Sequence, residues 1–173
     1  MKSKRLTRIS IMIVLSVVVN IIERYLPNLS FVPGAKWGFS NVVIIIGTLF
    51  LNFKELFIIG FLRSVFTSFA IGTFLSIQFY LSLAGSISSV CIMYILSKKN
   101  VFSFLGVSVA GSTTSNVSQL FIYSLFTSFA VLNYLPVLTI FSVLTGSVTG
   151  IISLLIKKKV QAYALNYSNI KNE

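Results

Sequence analysis

The side chains able to do chemistry in this sequence are few, and their types favour holding a ligand over transforming one. In 173 residues there are 14 lysines and arginines but three acids, Glu23, Glu55 and Glu173, with no aspartate and no histidine. A Ser-His-Asp relay cannot be assembled without histidine, and no carboxylates cluster to hold Mg²⁺. What remains is a set of cations and amides suited to an anionic or hydrogen-bonding molecule: Lys36, Asn41, Arg63, Gln78, Asn116 and Gln119. Glu23 is an acid near them, and Trp37 offers an aromatic face. Three of these residues belong to one stretch, 31–41, reading F-V-P-G-A-K-W-G-F-S-N. Only there do proline, two glycines, a cation, the sole tryptophan and an amide crowd together. No metal and no cofactor is expected.

These groups must be positioned by a chain that is 55% hydrophobic and 10% charged, far from the balance of a soluble domain. The composition predicts an all-α polytopic membrane protein of about six transmembrane helices. A single transmembrane domain is expected at 1–159, with spans near 9–26, 37–53, 56–71, 73–97, 101–129 and 134–156. A short polar tail at 160–173 needs no fold of its own. The run 56–97 carries Arg63 as its only charge, and at about 1.5 Å per residue it is too long for one crossing. Its break is expected at Ile71-Gly72-Thr73. The uncharged run 101–156 divides in the same way near Asn133-Tyr134-Leu135-Pro136. No small-x-small cleavage site follows the first apolar run, so that run is expected to persist as a span.

The formal net charge of +11 would suggest nucleic acid in a soluble chain, but here the cations sit in short clusters between apolar runs. With a cytoplasmic N-terminus, eleven of them fall inside, Arg24 and Lys36 fall outside, and Arg63 lies within the membrane. That bias predicts both termini in the cytoplasm and the Pro33-Gly34 loop outside. The single Cys91 cannot make an intrachain disulfide and reads as inert packing.

Depth then sorts the polar groups. Arg63 lies about 13 Å from the cytoplasmic edge, counted at helical rise from Lys54. A cation there costs at least about 2.5 kcal/mol unless it meets a partner or a wet cavity. Two readings stand side by side: a structural ion pair with Glu23 or Glu55, or an anchor for an anionic ligand. Asn116 and Gln119 share a helical stripe with Ser112, about 24 Å from the same edge. Asn20, Glu23, Lys36 and Gln78 fall in the same outer half. Serines and threonines at 112–115 also suit the polar contacts that join helices in membranes, and Trp37 also suits an interfacial anchor.

Two absences bound the function further. No G-x-x-x-x-G-K-[ST] loop is present, so energy from ATP would have to come from another subunit. The segment P-G-x-K at 33–36 lacks the rest of that motif.

The stretch V-P-G-A-K-W-G-F-S-N at 32–41 resembles the P-G-A-K-L-G-x-x-N signature of a bacterial membrane family labelled both heptaprenyl diphosphate synthase component I and Gx transporter. The likeness continues through Leu62-Arg63, G-T-F at 72–74, S-L-A-G at 82–85, G-V-S-V-A-G at 106–111, Asn116, Gln119 and Tyr134-Leu135-Pro136. That family in turn is similar to the substrate-binding S components of energy-coupling-factor (ECF) transporters. The resemblance implies a bacterial cell-membrane protein that captures a small molecule, vitamin-like or a quinone precursor, at an outward pocket. It also implies a coupling subunit and two cytoplasmic ATPases as partners. Within it, Arg63 and Lys36 would meet negative charge, Asn41, Asn116 and Gln119 would orient the ligand, and Trp37 would stack on it. One departure is the first helix, which has Ser10-Ile11-Met12-Ile13-Val14 where such components often carry A-x-x-x-A. The alternative is a non-catalytic accessory subunit of a prenyl diphosphate synthase, because D-D-x-x-D motifs cannot occur without aspartate.

Overall fold

The computed structural model describes residues 2–25, 37–99 and 102–170, with side chains placed for 5–25, 37–99 and 102–160. Lys36 and the rest of 26–36 lie outside the described residues. Six α-helices follow in order: α1 (Lys2–Tyr25), α2 (Ser40–Gly47), α3 (Phe53–Ile71), α4 (Ile77–Lys98), α5 (Phe104–Phe126) and α6 (Leu135–Ile170). A 3₁₀ segment, Phe129–Tyr134, leads into α6. Among the described residues there is no strand.

Local chemistry explains most of the boundaries. At the start of α3 the backbone N–H of Asn52 donates to Glu55 Oε2 at 2.8 Å, half of a capping box. Glu55 also pairs with Arg5 Nε at 2.5 Å, tying the starts of α1 and α3 together. Helix α3 stops at Gly72, whose φ of +73° is open to glycine. There the N–H of Thr73 reaches Ser68 O and that of Gly72 reaches Phe69 O, a Schellman ending. Ser103 opens α5 by accepting from the N–H of Gly106 at 3.3 Å. Pro136 occupies the first turn of α6, where its missing N–H costs nothing.

Two helices depart from the sequence expectation. The uncharged run 37–53 was expected as a span, yet its helix has eight residues, about 12 Å at helical rise against a hydrocarbon core of about 30 Å. Gly38, at φ +79°, keeps the chain out of helix before Ser40, and after Gly47 the helix runs out in turns, with Leu51 N–H still donating to Gly47 O before α3 begins at Phe53. Ser40, Asn41, Val42, Ile44, Ile45 and Gly47 are all buried, so the apolarity of this run faces protein. The second departure is the tail: α6 continues to Ile170, because 157–170 contains neither glycine nor proline to stop it.

Packing follows a simple plan. Helices α1, α3, α4, α5 and α6 contact one another in that order, and α2 touches all five. The apolar core gathers around Ile44, Ile45, Leu56, Ile59, Val90 and Met93. Elsewhere buried side chains are more often polar than apolar, while Leu15, Phe66, Ile140, Leu144 and Leu155 are exposed. This inversion of the soluble pattern is that of a protein solvated by lipid. Three helices are long and apolar enough to cross a membrane, within Arg5–Tyr25, Ile77–Lys98 and Phe129–Val160. Helices α3 and α5 have the length too, but α3 carries Lys54, Glu55 and Arg63, and α5 carries the polar run 111–119. Both helices turn their polar groups inward: Arg63, Ser112, Asn116 and Gln119 are all at most 4% exposed.

Candidate functional site

The N-terminus of α2 is the centre of the polar region. Its leading N–H groups have no partner within the helix, and Glu23 at the end of α1 supplies one. The N–H of Gly38 donates to Glu23 Oε1 at 2.5 Å, and the N–H of Ser40 lies 3.4 Å from Oε2. A carboxylate there also meets the positive end of the helix dipole. Gly38 must come close: a Cβ at that position would sit 3.3 Å from Ser112 Oγ.

Arg63 enters from α3 and is 4% exposed. Neither acid proposed as its partner forms an ion pair with it: Glu55 holds Arg5, and Glu23 caps α2. The guanidinium instead donates from Nη2 to Ser86 Oγ at 2.7 Å and from Nη1 to Asn41 Oδ1 at 3.4 Å. Its Nε has no partner among the described residues. Glu23 still attracts it electrostatically, so the carboxylate divides its influence between Arg63 and the end of α2. The Ser86 hydroxyl donates to Gly60 O at 2.7 Å, which leaves its lone pairs to accept from Arg63.

From α5, Asn116 donates to Ser142 Oγ at 2.8 Å, and Gln119 donates to Ser115 Oγ at 3.0 Å. Gln119 Oε1 and Ser112 Oγ are buried without partners. Together these groups enclose a cavity lined by Asn20, Glu23, Gly38, Ser40, Asn41, Arg63, Ser82, Ser86, Ser112, Ser115, Asn116 and Gln119. Every lining residue is polar, charged or glycine. The free space is about 20 Å³, enough for about one water molecule. Such an arrangement can grip a small anionic or hydrogen-bonding group. It offers no acid–base pair poised for proton transfer, since its one carboxylate is committed to backbone N–H groups.

The structure therefore brings together Glu23, Asn41, Arg63, Asn116 and Gln119, along with Asn20. It does not bring Gln78 to them: Gln78 is exposed at the second position of α4, one turn before the helix face that carries Ser82 and Ser86 meets the cavity. Trp37 also stands outside the lining; it is half-buried and stacks on Phe39, with ring centroids 5.9 Å apart. Ser82 and Ser86 were not singled out from sequence. Their signal was present, since Ser82, Ser86 and Ser89 recur at intervals of four and three in an apolar helix, and all three are buried.

Fold and site together define an all-helical membrane protein that encloses a polar, cation-bearing cavity. The family model for heptaprenyl diphosphate synthase component I matches residues 12–156, and the chain belongs to that family. No curated protein and no solved structure matches the chain.

Proposed function

We propose that this chain is the substrate-binding subunit of a bacterial plasma-membrane transporter, similar to an ECF S component. In this reading both termini face the cytoplasm, the cavity faces outward, and a separate ATPase module drives uptake. The observation that carries it is Arg63: a buried guanidinium with no ion-pair partner among the described residues, held by Asn41 and Ser86, its Nε without a hydrogen bond, in the lining of a cavity of polar groups. A cation kept at such cost is best explained by an anionic ligand group that completes its shell. The absence of aspartate and histidine supports binding without catalysis. The test is a thermal-shift and native mass-spectrometry screen of the purified protein against vitamins, quinone precursors and prenyl phosphates. The expected hit raises the melting temperature of the native chain and leaves Arg63→Met unmoved.

The family description favours a second reading, a non-catalytic accessory subunit of a heptaprenyl diphosphate synthase. Affinity purification separates the two. Coupling and ATPase subunits travelling with the chain support the transporter; a prenyl synthase subunit supports the accessory role. Prenyl transfer by the purified chain alone would overturn both.

A further inference from the structure

Resting on the pocket reading above, we infer that the ligand is a single-chain amphiphile whose carboxylate-sized anionic head sits at Arg63 and whose apolar chain lies outside the pocket, in the groove between α4 and α5. The cavity alone cannot house a larger molecule, since its free space is about 20 Å³. Directly behind it, on the outer side of the same two helices, a groove of about 810 Å³ is lined by residues that include Leu83, Ala84, Ile87, Val117 and Phe121. Helical spacing puts the two on opposite sides of one seam. On α4, Ser82 and Ser86 face the cavity while Leu83 and Ile87 face the groove.

The seam is thin at Gly85, which has no side chain of its own. The end of Gln119 occupies that space: a Cβ on Gly85 would lie 2.5 Å from Gln119 Nε2 and 2.7 Å from Ser115 Oγ. Gln119 is retained there by one hydrogen bond, to Ser115, and its carbonyl oxygen has no partner although the residue is 2% exposed. In this inference, turning this side chain aside opens the space beside Gly85 as the passage between groove and cavity. Ser88 and Ser118 line the otherwise apolar groove along the same seam, offering a polar head a foothold at the crossing. Charge complementarity selects the head, because Arg63 is a buried cation without an ion-pair partner.

The full-length chain in liposomes can be labelled with a long-chain fatty acid carrying a mid-chain diazirine, with its methyl ester as the uncharged control, and the adducts mapped by mass spectrometry. The acid is expected to label Leu83, Ile87 and Phe121 several-fold above the lipid-facing Leu15 of α1. That excess is expected to vanish with the ester, in Arg63→Met, and in Ala84→Trp, which fills the groove from the lipid side. Equal labelling by acid and ester, or an excess that persists in Arg63→Met, overturns the inference, for the groove then holds ordinary bilayer lipid. The smallest carboxylate, formate, separates this inference from the reading beneath it. Arg63-dependent formate binding without any groove excess leaves the pocket standing and removes the amphiphile; no Arg63-dependent anion of either kind removes both.

Discussion

Helix α5 uses the same kinds of residue at two levels along its length and obtains opposite results. Where it meets α6, Ser108 and Thr149 share a hydrogen bond of 2.7 Å, and Gly146 and Gly150 let the backbones close. A Cβ on Gly146 would fall 2.7 Å from Val109 Cα, and one on Gly150 would fall 2.9 Å from Leu105 Cα. Further along α5, Ser112 Oγ and Gln119 Oε1 are equally buried and have no partner among the described residues. The first level is the small-residue packing by which helices associate in lipid, where burial itself gives no drive. The second carries unmet hydrogen-bonding capacity, and each such group costs about 1–3 kcal/mol unless a ligand or water meets it. Serine and glycine in a membrane helix thus have no fixed meaning until their partners are known.

The sharpest way to break this contrast is to add one methyl group at each level. Gly146→Ala drives its Cβ into the backbone of Val109, which cannot yield without separating α5 from α6. Overpacking of this kind is expected to cost about 3 kcal/mol. Gly85→Ala meets only the ends of Gln119 and Ser115, and its expected cost is about 1 kcal/mol, the hydrogen bond between them. Thermal unfolding in detergent, followed by size-exclusion fluorescence, ranks the two. Equal destabilisation would erase the distinction between a packed seam and a cavity wall.

Glu23 tests the cavity side alone. Glu23→Gln retains shape but removes the charge that accepts from the start of α2 and attracts Arg63. A loss of about 1–2 kcal/mol is expected from the helix terminus, together with tighter binding of any anionic ligand, since Arg63 loses its one electrostatic competitor. Stability and anion affinity should therefore move in opposite directions, and a parallel fall in both would mean that Glu23 contacts the ligand favourably.

A smaller effect is expected for the seam's hydrogen bond. In a double-mutant cycle, Ser108→Ala and Thr149→Val should couple by about 0.6 kcal/mol, the usual worth of such bonds between membrane helices. A coupling near zero would assign the seam's stability to its glycines alone.

These contrasts also show what the chain discloses before folding. Membrane class was legible because apolar runs and lysine clusters report the solvent directly. That Arg63, Asn116 and Gln119 line one cavity was suggested by their types, a cation and two amides in apolar spans, whereas the counted depths set Arg63 about 11 Å from Asn116. The fate of 37–53 was not, since an uncharged run reads alike whether lipid or protein surrounds it, and only the burial of Ser40, Asn41, Ile44 and Ile45 shows that α2 is enclosed. Gln78 misled because it shares the face of Ser82 and Ser86 but lies one turn short of the cavity, a difference in level finer than counting from the ends of an apolar run can give. Ser86 escaped notice because its role comes from Arg63, 23 residues away.

The smallest expected change in stability belongs to the residue that matters most for binding. Arg63→Met removes the guanidinium and fills most of its volume. The groups it leaves have other partners: Ser86 still donates to Gly60 O, and Asn41 Oδ1 still lies 3.5 Å from Ser89 Oγ. The desolvation of a buried cation also disappears, so the net change is expected within about 1 kcal/mol of zero, in either direction. Ligand-induced stabilisation, by contrast, should be lost entirely. A residue that can be deleted from the fold at little cost, yet not from binding, is a ligand anchor. If Arg63→Met instead unfolds the protein, Arg63 belongs with the α5–α6 seam among the structural contacts, and the cavity loses its main claim to function.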